Sequence, residues 1–160
     1  MHPNAQAVSE ALARAGASGQ VRELEDAART AAEAASALGC EIGAIANSLV
    51  FMADDAPVLV LTSGAHRVDT VFLAAGLGVA KVRRASADEV RAATGQPIGG
   101  VAPVGHPTTV RTLIDVALQA FPVIWAAGGT PHTVFPTTYD ELIRICAAQP
   151  VSVAPDQDGS

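Results

Sequence analysis

At 160 residues, with 49% hydrophobic and 16% charged side chains, the chain carries enough apolar material for one domain and leaves little room for two. Its formal charge of −6 argues against a protein that coats duplex nucleic acid by charge, DNA included, but leaves open a pocket that takes only the end of an RNA strand. Cys40 and Cys146 are far apart, and without a C-x-x-C pair neither a zinc site nor a thioredoxin-type motif is supported. Free thiols, no signal-peptide pattern in residues 1–15 and no apolar run near the ~20 residues that cross a bilayer lead to the expectation of a cytoplasmic protein with no membrane partner.

Taken in chain order, Asn4 to Ala15 reads as an amphipathic helix with Ala7, Val8, Ala11 and Leu12 on one face. Val21 to Leu24 is a strand candidate. Thr30-Ala-Ala-Glu33 has the capping-box pattern and opens a helix to Leu38, stopped at Gly39. Two strand-like runs follow, Ala44 to Met52 and Val58 to Thr62, with Asp54, Asp55 and Pro57 as the turn between them. Asp69 is placed to cap a helix over Val71 to Ala75, and Lys81 to Arg84 reads as a short strand. Ser86-Ala-Asp-Glu89 is a second capping box, for a helix ending at Gly95. Ile98 to Gly105 is too rich in Gly and Pro to be helical throughout. Val123 to Ala126 and Thr133 to Phe135 are further strands, and Thr138-Tyr-Asp-Glu141 starts a last helix through Ala147. The tail from Pro150 is expected to be polar and frayed, giving one domain over residues 1–150 and a flexible tail over 151–160. Short hairpin-like connections favour a mixed sheet over a doubly wound parallel one.

Four segments have compositions unusual for plain scaffolding. In residues 45–51, Asn47 interrupts an apolar strand and shares its parity with Ile45, Leu49 and Phe51. It therefore falls on the bulkier face, where a buried amide needs partners; pointing to solvent is the alternative. In residues 62–69, Thr62, Ser63 and Gly64 end a strand and His66, Arg67 and Asp69 begin the next element. A Ser63–His66–Asp69 assembly is conceivable, against a plain helix cap by Asp69 and a solvated His-Arg pair. Residues 98–106 contain Gly99, Gly100, Val101, Pro103 and His106, and residues 125–132 contain Gly128, Gly129 and Thr130. Adjacent glycines let main-chain N–H groups approach a ligand and stabilise an oxyanion, though each pair also reads as a tight turn. Lys81, Arg83 and Arg84 form the densest basic cluster, with Arg67 as a further cation. A charged strand edge explains the cluster equally well. The P-loop and G-x-S-x-G patterns do not occur, and no two of His2, His66, His106 and His132 have zinc-site spacing.

In order and spacing the four segments resemble the YbaK/EbsC family, which hydrolyses wrongly charged tRNA and also occurs as the editing insertion of bacterial prolyl-tRNA synthetase. The resemblance covers roughly Thr30 to Ile145. It is closest in Trp125-Ala-Ala-Gly-Gly-Thr-Pro-His132 with the following Val-Phe-Pro-Thr-Thr, and in Gly99 to Pro103, which carries the family's G-x-x-x-P. One position departs: where the family has lysine in Ile-x-Lys-Ser-Leu-x-Phe, this chain has Asn47, an amide that donates a hydrogen bond but brings no charge.

The resemblance implies an α+β domain in which a mixed, curled, partly open barrel-like sheet is surrounded by helices. It implies a mischarged aminoacyl-tRNA substrate, with an aminoacyl-tRNA synthetase as a further candidate partner. It implies ester hydrolysis at the terminal adenosine by water, with main-chain oxyanion stabilisation and neither cofactor nor metal. Carried over by position, Asn47, Gly99, Gly100, Gly128 and Gly129 are the catalytic candidates. Ser48, Thr62, Ser63, Gly64, His66, Asp69, Val101, Pro103, His106 and Thr130 are the substrate-binding candidates, and Arg67, Lys81, Arg83 and Arg84 would meet the tRNA. The alternatives are a non-catalytic aminoacyl-tRNA-binding module, inactive for want of the lysine, and a regulatory protein that binds a synthetase.

Overall fold

The centre of the fold is a hairpin. β2 (Ile45–Ala53) and β3 (Ala56–Ser63) pair antiparallel from Ala46↔Ser63 to Ala53↔Ala56, and Asp54 and Asp55 make the turn. Both turn residues have positive φ, 47° and 71°, as a tight hairpin demands and as Asp tolerates. Pro57, expected in the turn, lies inside β3 opposite Met52. Gly64 N donates to Ile45 O, so odd-numbered β2 residues bond toward β3 and Met52 does not. Its partner position has no use for the N–H that proline lacks. The computed structural model describes residues 2–155.

Among the described residues six further strands complete one mixed sheet: β1 (Arg22–Glu23), β4 (Val82–Arg84), β5 (Arg111–Asp115), β6 (Ile124–Ala127), β7 (Thr133–Thr137) and β8 (Gln149–Val151). The order is β1-β7-β6-β2-β3-β5-β8, with β4 pairing β2 off that path. The β2–β6, β3–β5 and β5–β8 pairs are parallel and the others antiparallel. The sheet is open, as the expected mixed and partly open α+β architecture requires.

Two strands escape a reading of the sequence. β5 falls in a stretch given no element, and β8 falls in the expected tail. Both lie next to parallel partners, so neither is announced by a hairpin turn. Leu113 and Ile114 of β5 are buried on opposite faces of the sheet, which removes the alternation that marks a half-buried strand. The frayed tail expected from Pro150 is corrected for Pro150 and Val151, which pair with Ile114 and Asp115 of β5, and for Val153, which is fully buried. The last five residues, 156–160, lie outside the described residues.

Among the described residues five α-helices cover the sheet: α1 (Pro3–Arg14), α2 (Ala31–Leu38), α3 (Thr70–Leu77), α4 (Ala87–Thr94) and α5 (Tyr139–Cys146). One face packs Val50, Leu59, Leu61, Ile114, Ile124 and Phe135 against α1, α4 and α5. On the other, Phe51, Val58, Val60 and Leu113 meet Leu73 and Ala74 of α3, while Ile45 meets Ala34 and Ala35 of α2. Burying these side chains supplies most of the driving force for folding.

The three capping boxes differ in their second half. Ser86 and Glu89 close the full reciprocal box on α4. On α2, Thr30 Oγ1 accepts from Glu33 N, but the Glu33 carboxylate reaches back to Arg29 N instead. On α5, the Glu141 carboxylate accepts from Ser18 N and Thr137 Oγ1 and ties the helix to the loop after α1.

Candidate functional site

β2 carries the site because its second edge is shared. β6 pairs with Ile45 and Ala46, β4 pairs with Phe51 to Ala53, and the sheet is split between them. A cavity of about 350 Å³ opens at the split, lined among others by Arg29, Asn47, Ser48, Arg84, Gly99 and Val101. A smaller one of about 40 Å³ adjoins it, sharing Arg29, Asn47 and Gly99 and reaching Trp125 and Val134. Among the described residues that line the two cavities there is no Cys, Lys, His, Asp or Glu. Among the described residues no group of three or more His, Cys, Asp or Glu could hold a metal ion.

Asn47 is half-buried and lines both cavities. It sits across the ladder from Thr62, so the two side chains share a face, and the Thr62 hydroxyl is buried with no hydrogen-bond partner. Ser48 points to the opposite face, and its hydroxyl is likewise buried without a partner.

Ser63, His66 and Asp69 of the 62–69 segment have partners within the protein. Ser63 Oγ donates to Gly43 O at 2.8 Å. The fully buried Asp115 carboxylate accepts from Ser63 N at 3.0 Å and from Ala117 N at 2.9 Å, and lies 3.1 Å from His66 Nδ1. His66 thus takes its carboxylate from β5 rather than from Asp69, which caps α3 by accepting from Phe72 N. The conceivable Ser63–His66–Asp69 assembly is not formed. Gly64 is where β3 passes under α2: an added Cβ would run into Ile42 O and Ala31.

The two glycine-rich loops are stacked on each other. Gly99, at φ 86°, lines both cavities, and a Cβ there would come within 3.4 Å of Arg29. Gly100 faces away from them, and its Cβ would lie 2.7 Å from the Thr130 carbonyl carbon. Gly128 and Gly129 line neither cavity; a Cβ would meet Thr133 in the first case and the Asn4 carbonyl in the second, each at 2.9 Å. Thr130 is buried in its own turn, its hydroxyl 2.9 Å from that of Thr133. Val101 is a buried wall of the main cavity. Pro103 and His106 line a separate groove beside Cys146, where His106 Nε2 lies 2.7 Å from Ala102 O. Burial holds the His106 imidazole below its usual pKa and pushes the Cys146 thiol up to about 12.

The basic residues part company as well. Arg83 forms a two-point ion pair with Glu89, both N···O distances 2.8 Å. Hydrogen bonds from Arg83 and from Ser86 N hold the Glu89 carboxyl down to about 2. Arg84 lines the main cavity and lies over the Phe51 ring at 5.6 Å. Lys81 lines a groove beside α3, and Arg67 is exposed in the loop before that helix.

Two functional candidates carried no sequence signal. Arg29 is an isolated cation before the Thr30 cap, yet it reaches both cavities. Gln96 is almost fully buried and accepts from Ala102 N at 2.7 Å while donating to Val104 O, which pins the loop carrying Gly99 and Val101. A lone glutamine before Pro97 says nothing of that in sequence.

Comparisons with known proteins point to one family. The profile of the aminoacyl-tRNA editing domain matches residues 25–145. The uncharacterized protein YwhH of Bacillus subtilis is 32% identical over 123 residues, 76% of this chain and 78% of that protein. The proline–tRNA ligase of Latilactobacillus sakei is 34% identical over 88 residues, 55% of this chain but only 16% of the ligase. A solved structure described as a candidate trans-editing enzyme for prolyl tRNA synthetase is 40% identical, with a TM-score of 0.87 over 96% of this chain and 98% of that one.

Proposed function

The chain belongs to the aminoacyl-tRNA editing domain family, and from that premise we propose that it acts in trans as a hydrolase of mischarged aminoacyl-tRNA. The observation that carries the reading is the cavity at the split of β2: arginines on the rim, and neutral polar side chains and main chain beside Asn47 and Gly99. Arg29 and Arg84 suit the phosphates of a single-stranded RNA end. They also offer, from the loop before α2 and from β4, the positive charge that the family places on the lysine replaced here by Asn47.

The substrate is an ester and needs little activation. A water oxygen adds to the carbonyl carbon, the bond from that carbon to the ribose oxygen breaks, and the ribose oxygen leaves with a proton. Main-chain N–H groups at the cavity, with Gly99 at its edge, are suited to the negative charge that develops on the carbonyl oxygen. Asn47 hydrogen-bonds the substrate at the junction of the two cavities. The valines and alanines that wall the main cavity suit a small side chain.

A deacylation assay over a panel of mischarged tRNAs tests this directly. At least one tRNA bearing a small noncognate amino acid should be hydrolysed by purified protein with no metal added and with chelator present. Tight binding of charged tRNA without turnover of any panel member would replace the reading by a non-catalytic binding module. Activity lost to chelator and restored by zinc would overturn the metal-free step.

A further inference from the structure

The split of β2 leaves one residue without a strand on its outer edge. Odd-numbered residues of β2 direct their main-chain groups at β3, as the bond from Gly64 N to Ile45 O shows. Even-numbered residues therefore face the other way, and Ala85 N accordingly donates to Val50 O at 3.0 Å. On that outer edge the β6 ladder ends at Ala46 and the β4 ladder begins at Phe51. Ser48 is the even residue between them. Its N–H and C=O are directed into the gap between β6 and β4, where the main cavity lies, and it belongs to neither ladder. Its hydroxyl, buried without a hydrogen-bond partner, marks the same position as polar by a separate observation.

A lone N–H and C=O pair on a strand edge has a specific complement. In an antiparallel ladder one residue exchanges both its N–H···O bonds with one residue opposite. An α-amino acid ester carries the matching groups in the same order, an α-ammonium donor and a carbonyl acceptor. Resting on the deacylase reading above, we infer that Ser48 is the docking edge for the aminoacyl group. Its N–H donates to the ester carbonyl oxygen and its C=O accepts from the free α-ammonium. The aminoacyl group thus fills, for one residue, the strand position that β6 and β4 leave open. Recognition through the main chain is blind to the amino acid side chain and demanding of the amine, so N-acylated and desamino esters are excluded whatever their size.

The test uses two non-hydrolysable probes, 3′-alanylamino-3′-deoxyadenosine and its desamino counterpart 3′-propionylamino-3′-deoxyadenosine, titrated against the whole protein by calorimetry. The wild type should bind the alanyl probe at least tenfold more tightly. An amide-to-ester change at Ser48, which removes that N–H and only weakens the Asn47 carbonyl as an acceptor for its β3 partner, should weaken both probes about tenfold and lower the unfolding temperature only slightly, because no ladder bond is deleted. Ser48→Ala keeps the main chain and should keep the amine preference. Equal binding of the two probes by the wild type would overturn the inference. So would full affinity in the ester variant, or a large fall in its unfolding temperature with affinity intact, which would give the N–H a structural role. If the probes bind as expected while no charged tRNA is hydrolysed, the docking edge stands and only the catalytic reading fails.

Discussion

Ser63 and Asn47 both interrupt the apolar hairpin with polar side chains, yet their surroundings differ. Around Ser63, the hydroxyl donates to Gly43 O and the Asp115 carboxylate gathers Ser63 N, Ala117 N and His66. Around Asn47 the neighbouring hydroxyls of Ser48 and Thr62 are buried without partners, and the amide borders two cavities. Hydrogen-bonding capacity consumed inside the protein holds the scaffold; capacity left over beside a cavity is available to a ligand. Sequence composition marked the two segments equally.

The contrast breaks most visibly under substitution. Asp115→Ala strips the acceptor from two main-chain N–H groups, each worth ~1–3 kcal/mol when left buried and unsatisfied. Urea unfolding should show a loss of roughly 3 kcal/mol, with deacylation per folded molecule unchanged. A folded variant that is inactive would move the catalytic centre to the Ser63 end. Gly100→Ala comes next, since its methyl would press on the Thr130–Pro131 backbone; overpacking of this kind costs ~1–3 kcal/mol. Thermal melts and activity should fall together, because the loop that positions Gly99 shifts.

At the cavity the signs reverse. Asn47→Ala should lower kcat/KM roughly tenfold, the size of one lost hydrogen bond of ~1.4 kcal/mol, while changing unfolding free energy by less than ~0.5 kcal/mol. An unstable variant with normal turnover per folded molecule would show that Asn47 is structural. Arg29→Gln combined with Arg84→Gln should raise KM severalfold, leave kcat unchanged and reduce the salt dependence of RNA binding by a slope of about 1.4, which is about 0.7 for each lost phosphate contact on a single strand. Arg83→Gln should leave that slope alone, because its guanidinium is paired with Glu89.

The smallest effect is in pH. The Glu89 carboxyl titrates near 2 in the folded protein against an ordinary value of 4.5. A depressed folded value contributes stability above the unfolded pKa that is lost as pH falls through the folded one. The wild type should therefore lose part of its advantage over Glu89→Gln between pH 4.5 and 2. The pair is only half-buried and reached by solvent, so the change should be slight and weaker in high salt. A difference between the two proteins that is constant across this window would show that the ion pair contributes nothing.

Much of the fold was legible. The β2–β3 hairpin, the glycine stops of α2 and α4 and the Thr30, Asp69, Ser86 and Thr138 caps depend on residues a few positions apart, and local chemistry is what a sequence displays. β5 and β8 were not legible because parallel strands find partners far along the chain and carry no turn to announce them. Within the site, the parity of Asn47 placed it on the bulkier face. Arg29 and the Asp115 hub gave no signal, since they meet residues distant in sequence; Gln96 reaches only as far as Ala102 and Val104, but no local pattern marks a lone glutamine as the pin of a loop.

The amino-acid order alone determined the local elements, the mixed α+β class and the four segments from which family membership could be recognised. It did not determine which polar groups remain free. That was decided when β6 and β4 divided the outer edge of β2 between them, when Gly100 stacked on Thr130–Pro131, and when Glu89 rather than RNA received Arg83. Hydrogen bonds and ion pairs between segments far apart in the chain depend on distances that exist only once the apolar faces have packed.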